Sequence, residues 1–149
     1  MRHCTKRPDA VAQINSGIEA PLVSGCVEFF QEHGQVLIVA RICGLPENET
    51  GFYGFHIHQG RTCSGTVFSG TGSHFNPTEQ PHPLHAGDLP PLCQCRGNAF
   101  LSVRTDRFRV KDIIGRTVVI HSDPDDFRSQ PAGNAGRKIA CGVICKVQL

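Results

Sequence analysis

The chain has 149 residues, a length that fits one domain and leaves little room for a second. Its formal net charge is only +2 and its 15 basic residues are scattered, so nothing favours a nucleic-acid partner. No stretch approaches the roughly 18 apolar residues needed to cross a membrane, and the polar, basic segment 1–10 does not resemble a secretory signal.

Short apolar segments, separated by glycine and proline, predict an all-β protein without long helices. In chain order they cover residues 9–15, 21–31, 36–43, 52–58, 98–103 and 118–121. Residues 59–97 interrupt this series with a long tract rich in Gly, Pro, Ser, Thr and His. A loop of that length is usually functional, and metals or disulfides are the expected anchors. We expect one domain over residues 1–149, with residues 1–8 as an N-terminal tail.

The cysteine content is high and leaves the cellular compartment open. The eight cysteines are Cys4, Cys26, Cys43, Cys63, Cys93, Cys95, Cys141 and Cys145. Such a density suits an extracellular or periplasmic protein, whereas the initial Met and the missing signal favour the cytoplasm. Cys26 and Cys43 fall on predicted neighbouring strands and are expected to be buried thiols. Cys93 and Cys95 could bind a metal, form a disulfide with Cys4 or Cys145, or stay reduced.

Six of the eight histidines form a constellation typical of a metal site. They are His56, His58, His74, His82, His85 and His121. His56 and His58 stand two apart on an extended segment, so both imidazoles face one side and form half of a copper or zinc site. An isolated pair of this kind would be interpreted as surface histidines. His121 ends another extended segment and can point toward a neighbouring site.

The loop adds a second group of candidate ligands, His74, His82, His85 and Asp88. Three imidazoles and one carboxylate make the closed set that suits a structural zinc ion. All four lie within fifteen residues, which argues against chance, although the spacing alone leaves the metal undecided.

Five motifs, in the same order, resemble those of the Cu,Zn superoxide dismutases. They occupy residues 54–58, 72–77, 85–89, 114–121, and 133–136 together with 139–144. The resemblance extends from about residue 9 to residue 144. It implies an eight-stranded Greek-key β-barrel, a flattened immunoglobulin-like sandwich with long metal-binding loops.

The resemblance also implies the role of each site residue. Copper would be bound by His56, His58, His74 and His121, and zinc by His74, His82, His85 and Asp88. His74 would bridge the two metals as a deprotonated imidazole. Asp125 matches the carboxylate that links copper and zinc histidines. Cys63 and Cys141 match the family disulfide, which would tie the metal-bearing loop to the end of the barrel.

The implied activity is the dismutation of superoxide. Copper(II) would oxidise one superoxide anion to oxygen, and copper(I) would reduce a second to hydrogen peroxide, with His74 supplying a proton. Zinc would be structural. The alternative is a metal-binding protein that keeps the fold without turnover, but every copper ligand is present, which favours the enzyme. Many relatives dimerise, so a homodimer is an open option.

Two features depart from the family pattern. Lys138 stands where the family places the arginine that docks superoxide, and Arg137 precedes it. Lysine keeps the charge but lacks the planar fork, so we predict reduced activity unless Arg137 takes over. The zinc loop is also short, with only Pro83 and Leu84 between His82 and His85. Zinc affinity is therefore expected to differ.

Overall fold

Nine antiparallel strands form one sheet that curls into a nearly closed barrel in the computed structural model, which describes residues 6–148. The strands are β1 (Ala10–Ser16), β2 (Ser24–Glu32), β3 (Gln35–Cys43), β4 (Phe52–Tyr53), β5 (Phe55–His58), β6 (Leu92–Cys95), β7 (Asn98–Thr105), β8 (Thr117–His121) and β9 (Lys138–Lys146). Helical structure within the described residues is limited to a 3-10 segment, Thr66–Thr71, and one turn of α-helix, α1 (Val110–Ile113). The predicted all-β fold class is confirmed.

The strand order is β4-β6-β7-β3-β2-β1-β9-β8-β5. The first three strands form a meander, to which β7 is added beside β3 and β9 beside β1, as in a Greek key. The two edge strands, β4 and β5, are consecutive in the chain and are separated only by Gly54. Counted as one interrupted strand, they give the eight strands that were predicted.

Gly54 marks this interruption because the backbone turns close to a neighbouring loop there. Its amide donates to the Asp123 carbonyl at 2.8 Å, and its carbonyl accepts from the His121 amide at 2.8 Å. A Cβ at this position would lie 2.7 Å from the Cβ of Ala135. Any larger residue would therefore push apart the segments that carry the end of β8 and the loop after it.

Alternation along β5 and β8 separates the core from the candidate site. Phe55 and Ile57 point into the hydrophobic core, whereas His56 and His58 lie on the opposite face, as the two-residue spacing predicts. In β8, Val118 and Ile120 join the same core. Every residue of both strands is buried, because the long loop covers the face that carries the histidines.

The prediction of a strand-free tract over residues 59–97 is wrong at its end. Residues 92–95 form β6, which pairs with β4 and β7. Leu92 is the one buried apolar side chain of this strand. Four residues with a single buried apolar position are too few to show the apolar–polar alternation by which a strand is predicted from sequence. No helix in residues 6–148 is both long enough and apolar enough to cross a membrane.

The expected burial of Cys26 and Cys43 is also wrong. The two residues lie on neighbouring strands as predicted, but Cys43 is exposed and Cys26 only half-buried. Both point to the outer face of the sheet, away from the core. Cys93, Cys95 and Cys145 are free and exposed, so the disulfide considered with Cys145 is not formed. Cys4 lies outside the described residues.

Candidate metal centre

Two groups of side chains meet beside β5 and β8, and His74 belongs to both. One group is His56, His58, His74 and His121, and the other is His74, His82, His85 and Asp88. Within each group, the atoms that could bind a metal lie within 4.8 Å of one another. The structure thus brings together all seven residues that the sequence suggested as ligands, and it divides them as the resemblance implied.

Backbone pairing between the long loop and β5 brings the two groups together. The amide of Phe75 donates to the Ile57 carbonyl at 2.8 Å, and the Ile57 amide donates to the Gly87 carbonyl at 2.9 Å. Isolated bridges also pair His58 with His74 and His56 with Asp88. The loop therefore satisfies the free edge of β5 and sets its own ligands opposite those of the strand.

Asp125 is a buried carboxylate that joins the two groups. Its Oδ2 lies 2.7 Å from His56 Nε2, and its Oδ1 lies 2.8 Å from His82 Nε2. Burial raises the pKa of this carboxyl, but the hydrogen bonds from His56 and His82 outweigh burial and hold the pKa below its ordinary value. An ionised carboxylate only accepts, so it fixes a proton on Nε2 of both histidines.

The opposite nitrogens of these two rings are left as acceptors without a donor. Neither His56 Nδ1 nor His82 Nδ1 has a hydrogen-bond partner, although both atoms are buried. His82 Nδ1 lies 3.1 Å from Asp88 Oδ2, outside hydrogen-bond geometry. Two electron-rich atoms at that separation repel each other unless a cation lies between them, so this set of donors fits a metal ion.

His58 and His74 show the same pattern. The Gly72 carbonyl accepts from His58 Nδ1 at 2.8 Å, which leaves His58 Nε2 as an acceptor 3.2 Å from His121 Nε2. His74 Nδ1 lies 2.8 Å from Asp88 Oδ1, whereas its buried Nε2 has no partner. His74 thus has one nitrogen without a hydrogen-bond partner, whereas the second nitrogen of His58 faces another imidazole of the first group.

Three histidines of the first group, His56, His58 and His121, have lowered pKa values, which favour the neutral form that binds metals. Burial, with the nearby His56 and His74, lowers the pKa of His121 to about 3. Burial also lowers the pKa of His56, and that of His58 well below its ordinary value. Competition from protons for these three imidazoles is therefore weaker than for an exposed histidine.

Lys138, not Arg137, is the cation beside this group. Lys138 Nζ donates to Thr71 Oγ1 at 2.8 Å and to the Gly72 carbonyl at 3.0 Å, the same carbonyl that holds His58. Arg137 instead pairs with Glu19 at 2.8 Å, and 69% of its side chain is exposed. The side chain of Arg137 is thus engaged elsewhere, and Lys138 is the better candidate for anion attraction.

Two residues that the sequence did not single out hold the short segment that carries His82 and His85. The side-chain amide of Gln130 makes two hydrogen bonds with the backbone of His82. Arg107 Nη1 donates to the carbonyls of Pro83 and His85, each at 3.1 Å. These contacts could not be predicted from the sequence, because Gln130 and Arg107 lie in other loops and belong to no recognisable motif.

A disulfide joins Cys63 to Cys141, the pair that the resemblance implied. Cys141 is buried in β9, and Cys63 lies in the long loop, 78 residues earlier. This bond anchors the beginning of the long loop to β9, which restricts the loop before its first histidine.

Comparisons with known proteins agree with this geometry. The family described as "Copper/zinc superoxide dismutase (SODC)" matches residues 23–144. "Superoxide dismutase [Cu-Zn] 2" of Aquifex aeolicus (strain VF5) is 38% identical over 137 residues, which cover 82% of this chain and 79% of the relative. "Superoxide dismutase [Cu-Zn] 3" of Arabidopsis thaliana is 37% identical, covering 82% of each chain, and "Superoxide dismutase [Cu-Zn] 2" of Mesembryanthemum crystallinum is 37% identical, covering 91% and 93%. The chain belongs to the copper/zinc superoxide dismutase family.

Proposed function

We propose that this protein converts superoxide to oxygen and hydrogen peroxide at a paired copper and zinc centre. Copper would be bound by His56, His58, His74 and His121, and zinc by His74, His82, His85 and Asp88. The observation that carries the proposal is the shared position of His74, whose two ring nitrogens face different groups. A bound copper supplies reversible one-electron chemistry, and a bound zinc supplies a fixed charge without redox chemistry.

Asp125 has the task of orienting the ligands. Because its two oxygens bond one histidine of each group, the rings of His56 and His82 cannot rotate independently. The Gly72 carbonyl fixes the ring of His58 in the same way. Such outer contacts set the tautomer and direction of a ligating imidazole, which keeps the donor set arranged while the charge at the centre changes.

His74 is the residue that we expect to handle a proton. Its Nδ1 is committed to the Asp88 side, whereas Nε2 is buried and free of hydrogen bonds. A nitrogen in that position can take up a proton when it is not ligated and give the proton up when it is ligated. Reduction of superoxide to peroxide needs protons, so Nε2 of His74 is suitably placed to supply one.

Lys138 provides the positive charge for the anionic substrate. Its ammonium group is fixed by Thr71 and Gly72, next to the carbonyl that orients His58. A cation at the entrance to a charged site raises the rate at which small anions reach it. The compact ammonium cannot form the two parallel hydrogen bonds of a guanidinium, so we expect weaker docking than an arginine would give.

The decisive experiment measures the metal content and the activity of the same sample. The protein is loaded with copper and zinc, its metals are quantified, and superoxide removal is followed by direct spectrophotometry. The proposal predicts fast, copper-dependent removal, with zinc alone inactive. Full copper occupancy without superoxide removal would instead identify a metal-binding protein that has the fold but not the activity.

A further inference from the structure

A second candidate metal site lies on the outer face of the barrel and is made of thiols, not imidazoles. Cys93 and Cys95 are both exposed, free thiols at alternate positions of β6, with Leu92 buried on the other face. Free cysteines are among the most buried residue types, and exposed ones are usually retained for their reactivity. A pair on one strand face is therefore an unusual feature that the histidine centre does not explain.

The spacing of the two thiols suits one small ion. Two residues along a strand rise by about 6.6 Å, and both side chains project from the same face. Thiolate–metal bonds of about 2.3 Å, as at zinc, require sulfurs within about 4.6 Å of each other. Rotation of both side chains toward each other reaches that separation without any change in the strand.

The surroundings of the pair determine which ion fits. In residues 6–148, groups of three or more candidate ligands occur only at the histidine centre, so none of these residues adds a third ligand to the two thiols. Zinc takes four ligands at a structural site and is poorly served by two. Soft thiolates with a low coordination number select a monovalent, polarisable ion, of which copper(I) is the biological example.

Aromatic side chains flank the pair and limit its contact with water. Phe52 is paired directly with Cys93, and continuing the β6–β7 register places Phe100 on the other side of Cys93. These rings are 42% and 64% exposed, so they stand above the sheet surface beside the thiol. An apolar border of this kind disfavours strongly hydrated divalent ions more than a weakly hydrated copper(I).

We propose that Cys93 and Cys95 form a two-thiolate site for copper(I), separate from the histidine centre. Copper(I) replaces the thiol protons, and no electron transfer is involved. The proposal does not depend on superoxide dismutation. The histidine centre is filled with copper and zinc before the test, so it does not take up the added copper(I). Cys43 serves as a control: it is exposed on the same face, but the strand spacing sets it about 10 Å from Cys95, too far to share a two-coordinate ion.

The test adds copper(I), as its acetonitrile complex, to the reduced, copper- and zinc-loaded protein without oxygen. The number of copper equivalents that stay bound to the protein in the presence of a copper(I) chelator is measured. X-ray absorption spectroscopy reports whether the ligands of this copper are sulfur. We expect roughly one extra equivalent with two sulfur ligands. Cys93→Ser and Cys95→Ser should each lose this equivalent, whereas Cys43→Ser and Cys145→Ser should keep it. Circular dichroism and an unchanged copper and zinc content of the histidine centre show that each variant folds.

Three outcomes would overturn the proposal. The first is a wild-type protein that takes up no copper(I) beyond the histidine centre. The second is an equal loss in the Cys43→Ser and Cys145→Ser controls, which would mean that any exposed thiol captures the ion. The third is an extra equivalent that survives in Cys93→Ser and Cys95→Ser. None of these outcomes bears on superoxide removal, so the two proposals fail independently.

Discussion

The side-chain amide of Gln130 and the backbone amide of His82 pair with each other through two hydrogen bonds. The His82 amide donates to Gln130 Oε1 at 3.0 Å, and Gln130 Nε2 donates to the His82 carbonyl at 2.7 Å. Since Asp125 holds the ring of the same histidine, the loop after β8 controls both the backbone and the side chain of His82. The short segment that carries His82 and His85 thus depends on a neighbouring loop for its shape.

Gln130→Ala should therefore weaken zinc binding. Loss of both hydrogen bonds frees the backbone of His82, and removal of such outer contacts costs about 10- to 100-fold in metal affinity. Competition with a coloured zinc chelator measures the change. Gln80→Ala is the matched control, because the side-chain amide of Gln80 donates to the Thr78 carbonyl within its own loop. Equal affinities in the two variants would show that the Gln130 pairing does not support zinc.

Two substitutions of Lys138 should change the rate of superoxide removal in opposite directions. Lys138→Gln removes the charge beside His58, and we expect the second-order rate to fall about tenfold or more at low salt. Lys138→Arg keeps the charge and adds a planar fork, so the rate should rise. Stopped-flow assays at several ionic strengths measure both effects.

Arg137→Gln provides the control for Lys138. Its side chain pairs with Glu19 in solvent, so its removal should leave the rate close to that of the unaltered protein. If Arg137→Gln were inactive while Lys138→Arg made no difference, Arg137 would be the docking cation and our assignment would be wrong.

Alkaline pH should slow the enzyme through Lys138. Burial lowers the pKa of this side chain from its ordinary value of 10.5, so the ammonium charge is present below that lowered pKa and is lost as the pH rises through it. Superoxide removal should therefore decline at a lower pH than an exposed lysine would allow. In Lys138→Arg the decline should disappear, because arginine stays protonated. The same decline in both proteins would place its origin elsewhere.

Loss of the disulfide should destabilise the protein. Cys63→Ser opens a bond between residues 78 apart, and removing a native disulfide typically costs about 2–5 kcal/mol of unfolding free energy. Urea titration of the metal-free proteins measures this cost without a contribution from metal binding. Cys145→Ser, which changes an exposed free thiol, should unfold like the unaltered protein. An unchanged midpoint for Cys63→Ser would mean that the bond does not restrain the fold.

The sequence was most informative where one element carries the whole signal. The spacing of His56 and His58 predicts that both rings share a strand face, and β5 has that alternation. The motif around His85 and Asp88 predicts a compact group, because both residues belong to one tight turn in which the His85 amide donates to Asp88 Oδ2. Local geometry of this kind is encoded by neighbouring residues.

Contacts between distant loops were beyond the sequence. Gln130 meets His82 and Arg107 meets Pro83 only because the barrel brings three loops to the same end. The sequence also left open whether Lys138 or Arg137 attracts the substrate. The answer depends on which side chain pairs with the distant Glu19. The predicted burial of Cys43 was wrong. Its place on a strand could be predicted, but the sequence does not tell which face of a half-covered strand points outward.

The central claim is that two adjoining donor groups have different tasks, redox copper in one and structural zinc in the other. His121→Ala tests it most directly, because His121 belongs to the first group only. After loading with both metals, zinc content and superoxide removal are measured on the same sample. We predict that zinc remains bound while superoxide removal is abolished. Undiminished superoxide removal by His121→Ala would contradict the assignment.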